Sequence, residues 1–251
     1  MKNLKIIKYL FLHLIGILLL LSSCNNNESK KVNNILIVGT AADNPPYEFI
    51  QDSNIIGLDI DIIKLIAKEL GKEVIIKNLD FPALLVALSS KKIDLVIAGL
   101  SVSKEREKYV DFSDTYSAAK VAVLFKDNKG FIKYEDIQGQ NIGAQLGTTW
   151  QEIAKDINKD SSDSKLRFLS NNLILVEELK SSVIDAVILE DIQASKFIVN
   201  NPQLRKFVIE KYISEFAIAL PKNSPLKNQI NQAIAKLKKN GEIEKVRQKW
   251  Y

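Results

Sequence analysis

The chain has 251 residues, 46% of them hydrophobic and 26% charged, which is the composition of a globular protein long enough for two lobes or one large domain. Its 35 bases and 30 acids give a net charge of +5; without Lys2, Lys5 and Lys8 the balance is 32 to 30, or +2, and those bases are scattered among acids, which argues against a nucleic-acid partner. The one cysteine, Cys24, and the one histidine, His13, both lie near the N-terminus, so the rest of the chain has no Ser-His-Asp triad, cysteine nucleophile, Cys/His zinc site or disulfide. Binding is therefore expected before catalysis, with no metal and no cofactor.

Residues 1–23 carry three lysines and no acid, then an apolar run from Tyr9 to Leu21, then Ser22 and Ser23. This pattern reads as a secretory signal. At 13 residues the run is too short for the ~30 Å hydrocarbon core, which needs roughly 20 helical residues. Leu21-Ser22-Ser23-Cys24 resembles a bacterial lipobox, which implies a lipid on Cys24 after cleavage, with a plain signal peptide as the alternative. Residues 24–34 then form a polar tether with little to bury.

Past the tether, short apolar runs alternate with amphipathic stretches. Strands are expected at Ile35 to Val38, Val74 to Ile76, Leu95 to Ala98 and Val121 to Phe125, with helices at Asp59 to Leu70, closed by Gly71, and at Pro82 to Ser89. The alternation then restarts. Strands at Ile142 to Ala144, Leu166 to Leu169 and Ala186 to Leu189 are separated by helices from Thr149, Leu173 and Asp191; a strand at Ala217 to Leu220 and helices from Pro225 and Gly241 follow. Two such series predict two α/β lobes with mainly parallel sheets flanked by helices, in which ligands bind beyond the carboxyl ends of the strands.

Four strand ends carry candidate chemistry. Gly99, Ser101 and Arg106 follow the strand at 95–98 and suit a carboxylate, since arginine can bind one bidentately and the chain otherwise prefers lysine. Gln145 and the Gly147-Thr148-Thr149 turn follow the strand at 142–144, where a threonine cap aims helix N–H groups at an anion; an ordinary cap and a core Trp150 is the alternative. Glu190 follows the strand at 186–189 and could accept bonds from an ammonium group, with Asp191 as a helix cap. Phe81, after the strand at 74–76, offers a ring or a core side chain. An arginine with a helix N-terminus on one side and a glutamate on the other complement a zwitterion, an α-amino acid being the obvious candidate.

The segments Val38-Gly39-Thr40, Pro45-Pro46-Tyr47, Gly57-Leu58-Asp59-Ile60-Asp61, Ala98 to Ser103 through Arg106, Val110 to Asp114, Gly147-Thr148-Thr149 and Asn240-Gly241-Glu242 to Trp250-Tyr251 occur in the order seen in bacterial extracellular solute-binding proteins, family 3. The chain resembles the amino-acid-binding branch of that family from about residue 35 to its end. The resemblance implies a type II two-lobed periplasmic-binding-protein fold: lobe 1 from 35–117 and 216–251, lobe 2 from 118–215, with crossings near 116–120 and 212–216. It also implies a lipid-anchored, monomeric receptor on a bacterial membrane that works with the permease and ATPase subunits of an ABC importer. Arg106, Ser101 and the Thr149 amide would hold the α-carboxylate, Glu190 the α-ammonium, Phe81 the ligand side chain, and Gly99 would supply backbone contact, while Gln145 varies with ligand. Asn44 stands where an aromatic is common and Ala41 where lysine and arginine binders carry an acid, with Asp43 close by, so a basic and a polar ligand both remain open. Asp59 and Asp61 are expected as first-turn acids favoured by the helix dipole. A cyclohexadienyl-dehydratase-like enzyme on the same fold, with Glu190 as general acid, and a sensory ligand-binding module are the competing readings.

Overall fold

The computed structural model describes residues 34–161 and 165–251. The expected signal segment, Cys24 and the tether up to residue 33 lie outside them. In chain order the described residues form β1 (Ile35–Thr40), β2 (Asp43–Asn44), β3 (Glu48–Gln51), β4 (Asn54–Ile56), α1 (Leu58–Glu69), β5 (Glu73–Asn78), α2 (Leu84–Ser89), β6 (Leu95–Val96), α3 (Lys104–Glu107), β7 (Val110–Phe112) and β8 (Ser117–Lys126). Next come β9 (Ile142–Gln145), α4 (Thr149–Ile157), β10 (Leu166–Leu169), α5 (Asn172–Lys180), β11 (Ala186–Glu190), α6 (Asp191–Asn200), β12 (Leu204–Phe216), β13 (Ala219–Pro221), α7 (Leu226–Lys239) and α8 (Glu242–Trp250).

Residues Leu36–Tyr251 form one compact unit. Its two five-stranded sheets are ordered β5-β1-β6-β13-β7 and β10-β9-β11-β8-β12, and β2-β3-β4 make a small third sheet. Each large sheet has its own core. Val38, Ile63, Leu95, Ile218 and Ile234 belong to the first; Val123, Ile142, Leu175 and Ile188 belong to the second. Helix α1 turns Ile60, Ile63, Ile66 and Ala67 inward, as its spacing predicts, and ends in a Schellman arrangement. There the Lys72 N–H bonds the Ala67 carbonyl at 2.8 Å and the Gly71 N–H bonds that of Lys68 at 3.1 Å, with Gly71 at φ 65°.

The sheets are mixed. β1 pairs with β6, and β9 with β10 and β11, in parallel, but β13 and β8 run antiparallel to their neighbours. A chain that leaves one sheet for another and comes back must run in opposite senses on the two passages. β8 and β12 are those passages: they pair side by side from Ser117↔Phe216 to Lys126↔Leu204, with a register shift between Ile209 and Ile213. Phe216 also bridges to Ser101 at the end of the first sheet. Polar side chains on β12, such as Arg205, Glu210 and Lys211, face solvent because β12 is an edge strand, and for the same reason no apolar run announces it.

Candidate functional site

The strand ends of the two large sheets meet. Ser103 caps α3 by accepting a bond from the Arg106 N–H at 3.3 Å, and this turn sends the guanidinium between the sheets. Arg106 is 9% exposed; Nη1 donates to the Ser101 carbonyl at 2.6 Å and Nη2 to the Gly147 carbonyl at 2.9 Å. The Phe81 ring centroid lies 5.5 Å from its Cζ. Burial lowers its pKa to about 10, which still leaves a full positive charge at neutral pH. Among the described residues no carboxylate pairs with it, so carbonyl dipoles and the Phe81 ring compensate a buried cation. Such a group accepts an anion readily.

Glu190 is the converse. It closes β11 opposite Val121, is fully buried, and among the described residues neither carboxylate oxygen has a hydrogen-bond partner. Burial pushes its carboxyl well above the usual range; the neighbouring Tyr47 hydroxyl works the other way, and the charges of Asp59 and Asp191 add to the rise. A buried carboxyl without a partner is complemented by a cation. Asp191 is not the helix cap: Glu190 holds that position and Asp191 is the first residue of α6, where its carboxylate pairs with Lys206.

The remaining candidates gather on the same cleft with altered roles. Thr148 caps α4, accepting from the Gln151 N–H at 3.3 Å and donating to the Gln145 carbonyl at 2.6 Å, while the half-buried Thr149 opens the helix. The Gln145 side chain is engaged within the protein, donating to Asp43 at 3.0 Å and to the Ser170 carbonyl at 2.9 Å. Gly99 needs its φ of 51°, and a Cβ there would lie 2.9 Å from Asn44 Nδ2. Its N–H points inward to Asp59 Oδ2 at 2.7 Å, so its backbone donor is taken. Asn44 Nδ2 donates to Glu48 at 2.9 Å, and its carbonyl oxygen is left without a donor.

Asp59 sits in the first turn of α1 but is fully buried and bonded to Gly99 and Tyr116, whereas Asp61 pairs at the surface with Lys249 at 2.7 Å. Asp43, whose direction the sequence leaves open, accepts from the Asn172 N–H at 2.7 Å as well as from Gln145. Burial raises its pKa to about 6 against those two bonds, and the charge of Asp80 adds to the rise. Beside it a cavity of ≈ 290 Å³ is lined by Ala41, Asp43, Asp80 and Phe81 on one side and Ser170 and Leu173 on the other. Two acids and no base face this space. Glu48, Tyr47 and Asn172 are buried polar residues that no sequence pattern marked as part of the site; Tyr47 ends the Pro45-Pro46-Tyr47 segment and Glu48 follows it, where period alone cannot show direction.

The chain is 38% identical over 221 residues to the arginine-binding extracellular protein ArtP of Bacillus subtilis, covering 86% of each protein. It is 35% identical over 199 residues to a probable histidine-binding protein of Campylobacter jejuni, covering 78% of this chain and 76% of that one. Among solved structures it superposes on ArtJ, the arginine-, lysine-, histidine-binding protein of Geobacillus stearothermophilus, with a TM-score of 0.82 at 29% identity, covering 86% of this chain and 94% of that one. On the amino acid ABC transporter substrate-binding protein AbpA of Streptococcus pneumoniae, bound to L-arginine, the TM-score is 0.79 at 35% identity, covering 87% and 95%. The two sheets, the polar cleft between their strand ends and a family model matching residues 36–251 agree, and the chain belongs to the bacterial extracellular solute-binding proteins, family 3.

Proposed function

We propose that this protein captures a free cationic α-amino acid, arginine foremost, between its two lobes and delivers it to the permease and ATPase subunits of an ABC importer. The observation that carries this is a buried Arg106 with no carboxylate and a buried Glu190 with no cation among the described residues, at the strand ends of the two sheets. A zwitterion supplies both missing charges at once: its carboxylate goes to Arg106, with the Thr149 end of α4, and its ammonium to Glu190. The acidic cavity favours a side chain that carries a second positive charge, with Asp43 and Asp80 as its counter-charges and Phe81 packing along its stem. Asp43 then takes over, two residues along, the task that Ala41 lacks the side chain to perform. The relatives that bind arginine and histidine support the same class.

Closure follows a hinge at the two passages near 116–120 and 212–216, and the receptor works as a monomer, held at the membrane by a lipid on Cys24. A thermal-melting panel of the twenty amino acids tests the assignment, because a ligand at ~100 times its Kd adds about 2.7 kcal/mol. Stabilisation by L-arginine, L-lysine or L-histidine supports it; stabilisation by neutral amino acids alone overturns the cationic class, and no stabilisation by any of the twenty overturns the amino-acid class. A dehydratase on this fold would instead use the protonated Glu190 as a general acid and would turn over prephenate or arogenate, which a receptor leaves unchanged.

A further inference from the structure

Two carboxyl groups, Glu48 on β3 and Asp59 on α1, lie directly beneath the candidate site, and both are fully buried. Their bonding is unequal. Asp59 Oδ2 accepts from the Gly99 N–H at 2.7 Å and from the Tyr116 hydroxyl at 2.7 Å, while Glu48 Oε1 accepts one bond, from Asn44 Nδ2 at 2.9 Å. The other oxygen of each, Glu48 Oε2 and Asp59 Oδ1, meets no donor from the rest of the described residues. The two carboxyls nevertheless stand within hydrogen-bonding reach of each other. Two ionised carboxylates in contact, out of water and with no cation beside them, would repel one another at a cost of several kcal/mol.

We propose that Glu48 and Asp59 share one proton, with Glu48 as the neutral acid donating from Oε2 to Asp59 Oδ1, and that Glu48 is thereby a positioning residue for the ligand site. Glu48 is the one to hold the proton because Asp59 already has two donors that favour its charge, whereas Glu48 has one. The proton satisfies both orphan oxygens and completes a chain from Asn44 through Glu48 and Asp59 to the Gly99 N–H. The chain fixes Asn44 with its carbonyl oxygen free and holds Gly99 in its left-handed turn against it, so the two residues are set by a bond neither makes directly. This role rests on the proposed function only in taking Asn44 and Gly99 as ligand neighbours; the shared proton itself does not depend on any ligand.

The titratable groups around the pair are Asp43 on β2, Tyr47 between β2 and β3, Tyr116 before β8, and, further out, Glu190 on β11 and Tyr251 after α8; all are acids, so none neutralises it. Burial and the neighbouring charge of Asp59 hold Glu48 well above the usual carboxyl range in the folded protein. A carboxyl raised on folding gives stability that is fully present below its unfolded pKa of about 4.3 and is lost as pH rises towards the folded value.

Glu48→Gln and Glu48→Ala in the whole protein test this. Glutamine keeps an acceptor for Asn44 and a fixed donor for Asp59, so Glu48→Gln reproduces the neutral acid at every pH. Three results are expected: an infrared carbonyl band of a buried protonated carboxyl at pH 8 that shrinks in Glu48→Gln; a melting temperature for Glu48→Gln at or above the parent's, falling less steeply between pH 5 and pH 8; and L-arginine affinity within about threefold of the parent for Glu48→Gln but weaker by about tenfold for Glu48→Ala, which strands two buried polar groups. Loss of stability in Glu48→Gln at pH 8, or an unchanged infrared band, overturns the shared proton. If neither parent nor variant binds L-arginine, the ligand assignment fails, while the infrared and melting results still decide the proton.

Discussion

Asp43 and Asn172, 129 positions apart, are joined across the cleft by the Asn172 backbone N–H, which donates to the Asp43 carboxylate over 2.7 Å. Gln145 adds a second bond to the same carboxylate from the neighbouring strand end. Together with the bond from Arg106 to the Gly147 carbonyl, these are contacts between the two sheets that need no ligand, so the two sheets are joined by bonds of the protein's own.

Asp43 should make binding pH-dependent. Its pKa is raised by burial to about 6, and a cation in the adjacent cavity favours the ionised form and draws that value down. Affinity for L-arginine is therefore highest above pH 6 and declines as the pH falls below it. Asp43→Asn removes the Asp43 share of this decline, leaving that of Glu190, and weakens binding at pH 7.5 by about 10- to 100-fold, the loss expected when one partner of a buried charge pair is neutralised. Calorimetric titrations from pH 5 to pH 8 read both effects; the same profile in variant and parent would refute the role.

Arg106→Lys and Arg106→Ala should both bind poorly, for different reasons. Lysine retains a charge but cannot hold the Ser101 and Gly147 carbonyls and a carboxylate in one plane, and alanine loses everything. A loss of about 2–5 kcal/mol, roughly 30-fold or more in Kd, is expected for alanine, with lysine between it and the parent. Tight binding by a folded Arg106→Ala protein would move the carboxylate elsewhere.

Glu190 should release a proton when an amino acid binds. Before binding, burial favours the protonated form of its carboxyl, and an arriving ammonium stabilises the carboxylate instead. Binding enthalpies at pH 7 measured in buffers of different ionisation enthalpy should show net proton release. Glu190→Gln should lose the Glu190 share of that release and bind more weakly by about tenfold or more. Equal proton release in variant and parent would exclude Glu190 as the ammonium partner.

Cys24→Ala should free the protein from the membrane and block processing at that position. One acyl chain binds a bilayer only marginally, so the mature terminus is expected to carry more than one. Unchanged membrane association together with unchanged processing in the variant would rule out lipidation at this residue.

Much of the frame is legible in the sequence because burial on both faces writes long apolar runs. Ile142–Gln145 and Ala186–Glu190 fall within a residue of where those runs place them, and α1 within a residue of its apolar stripe, while the half-buried edge strand Leu166–Leu169 is marked by its apolar residues without burial on both faces. The hairpins β2 to β4 and the 13-residue β12 are not legible, since edge strands leave half their side chains in water and break the pattern. In the candidate site, residue types at strand ends single out Arg106, Glu190 and Phe81. They do not show that Gln145 is spent on Asp43 or that the Gly99 N–H is spent on Asp59, because those bonds join residues 102 and 40 positions apart.

The β8 and β12 passages lie side by side as one hydrogen-bonded ribbon, and this limits what the cleft can do. A single connecting strand would let the halves swivel about any direction, whereas a two-stranded ribbon bends far more easily than it twists or shears. A hinge motion on this ribbon would be retraced on closing. Arg106 would return to the same carbonyl of Gly147, and Asp43 to the same N–H of Asn172, with no search among misaligned encounters. The cost of an open state falls on bending the ribbon and breaking a few named bonds, so the threshold for release can be tuned far from the solute, at the register shift between Ile209 and Ile213, without altering a single group that touches it.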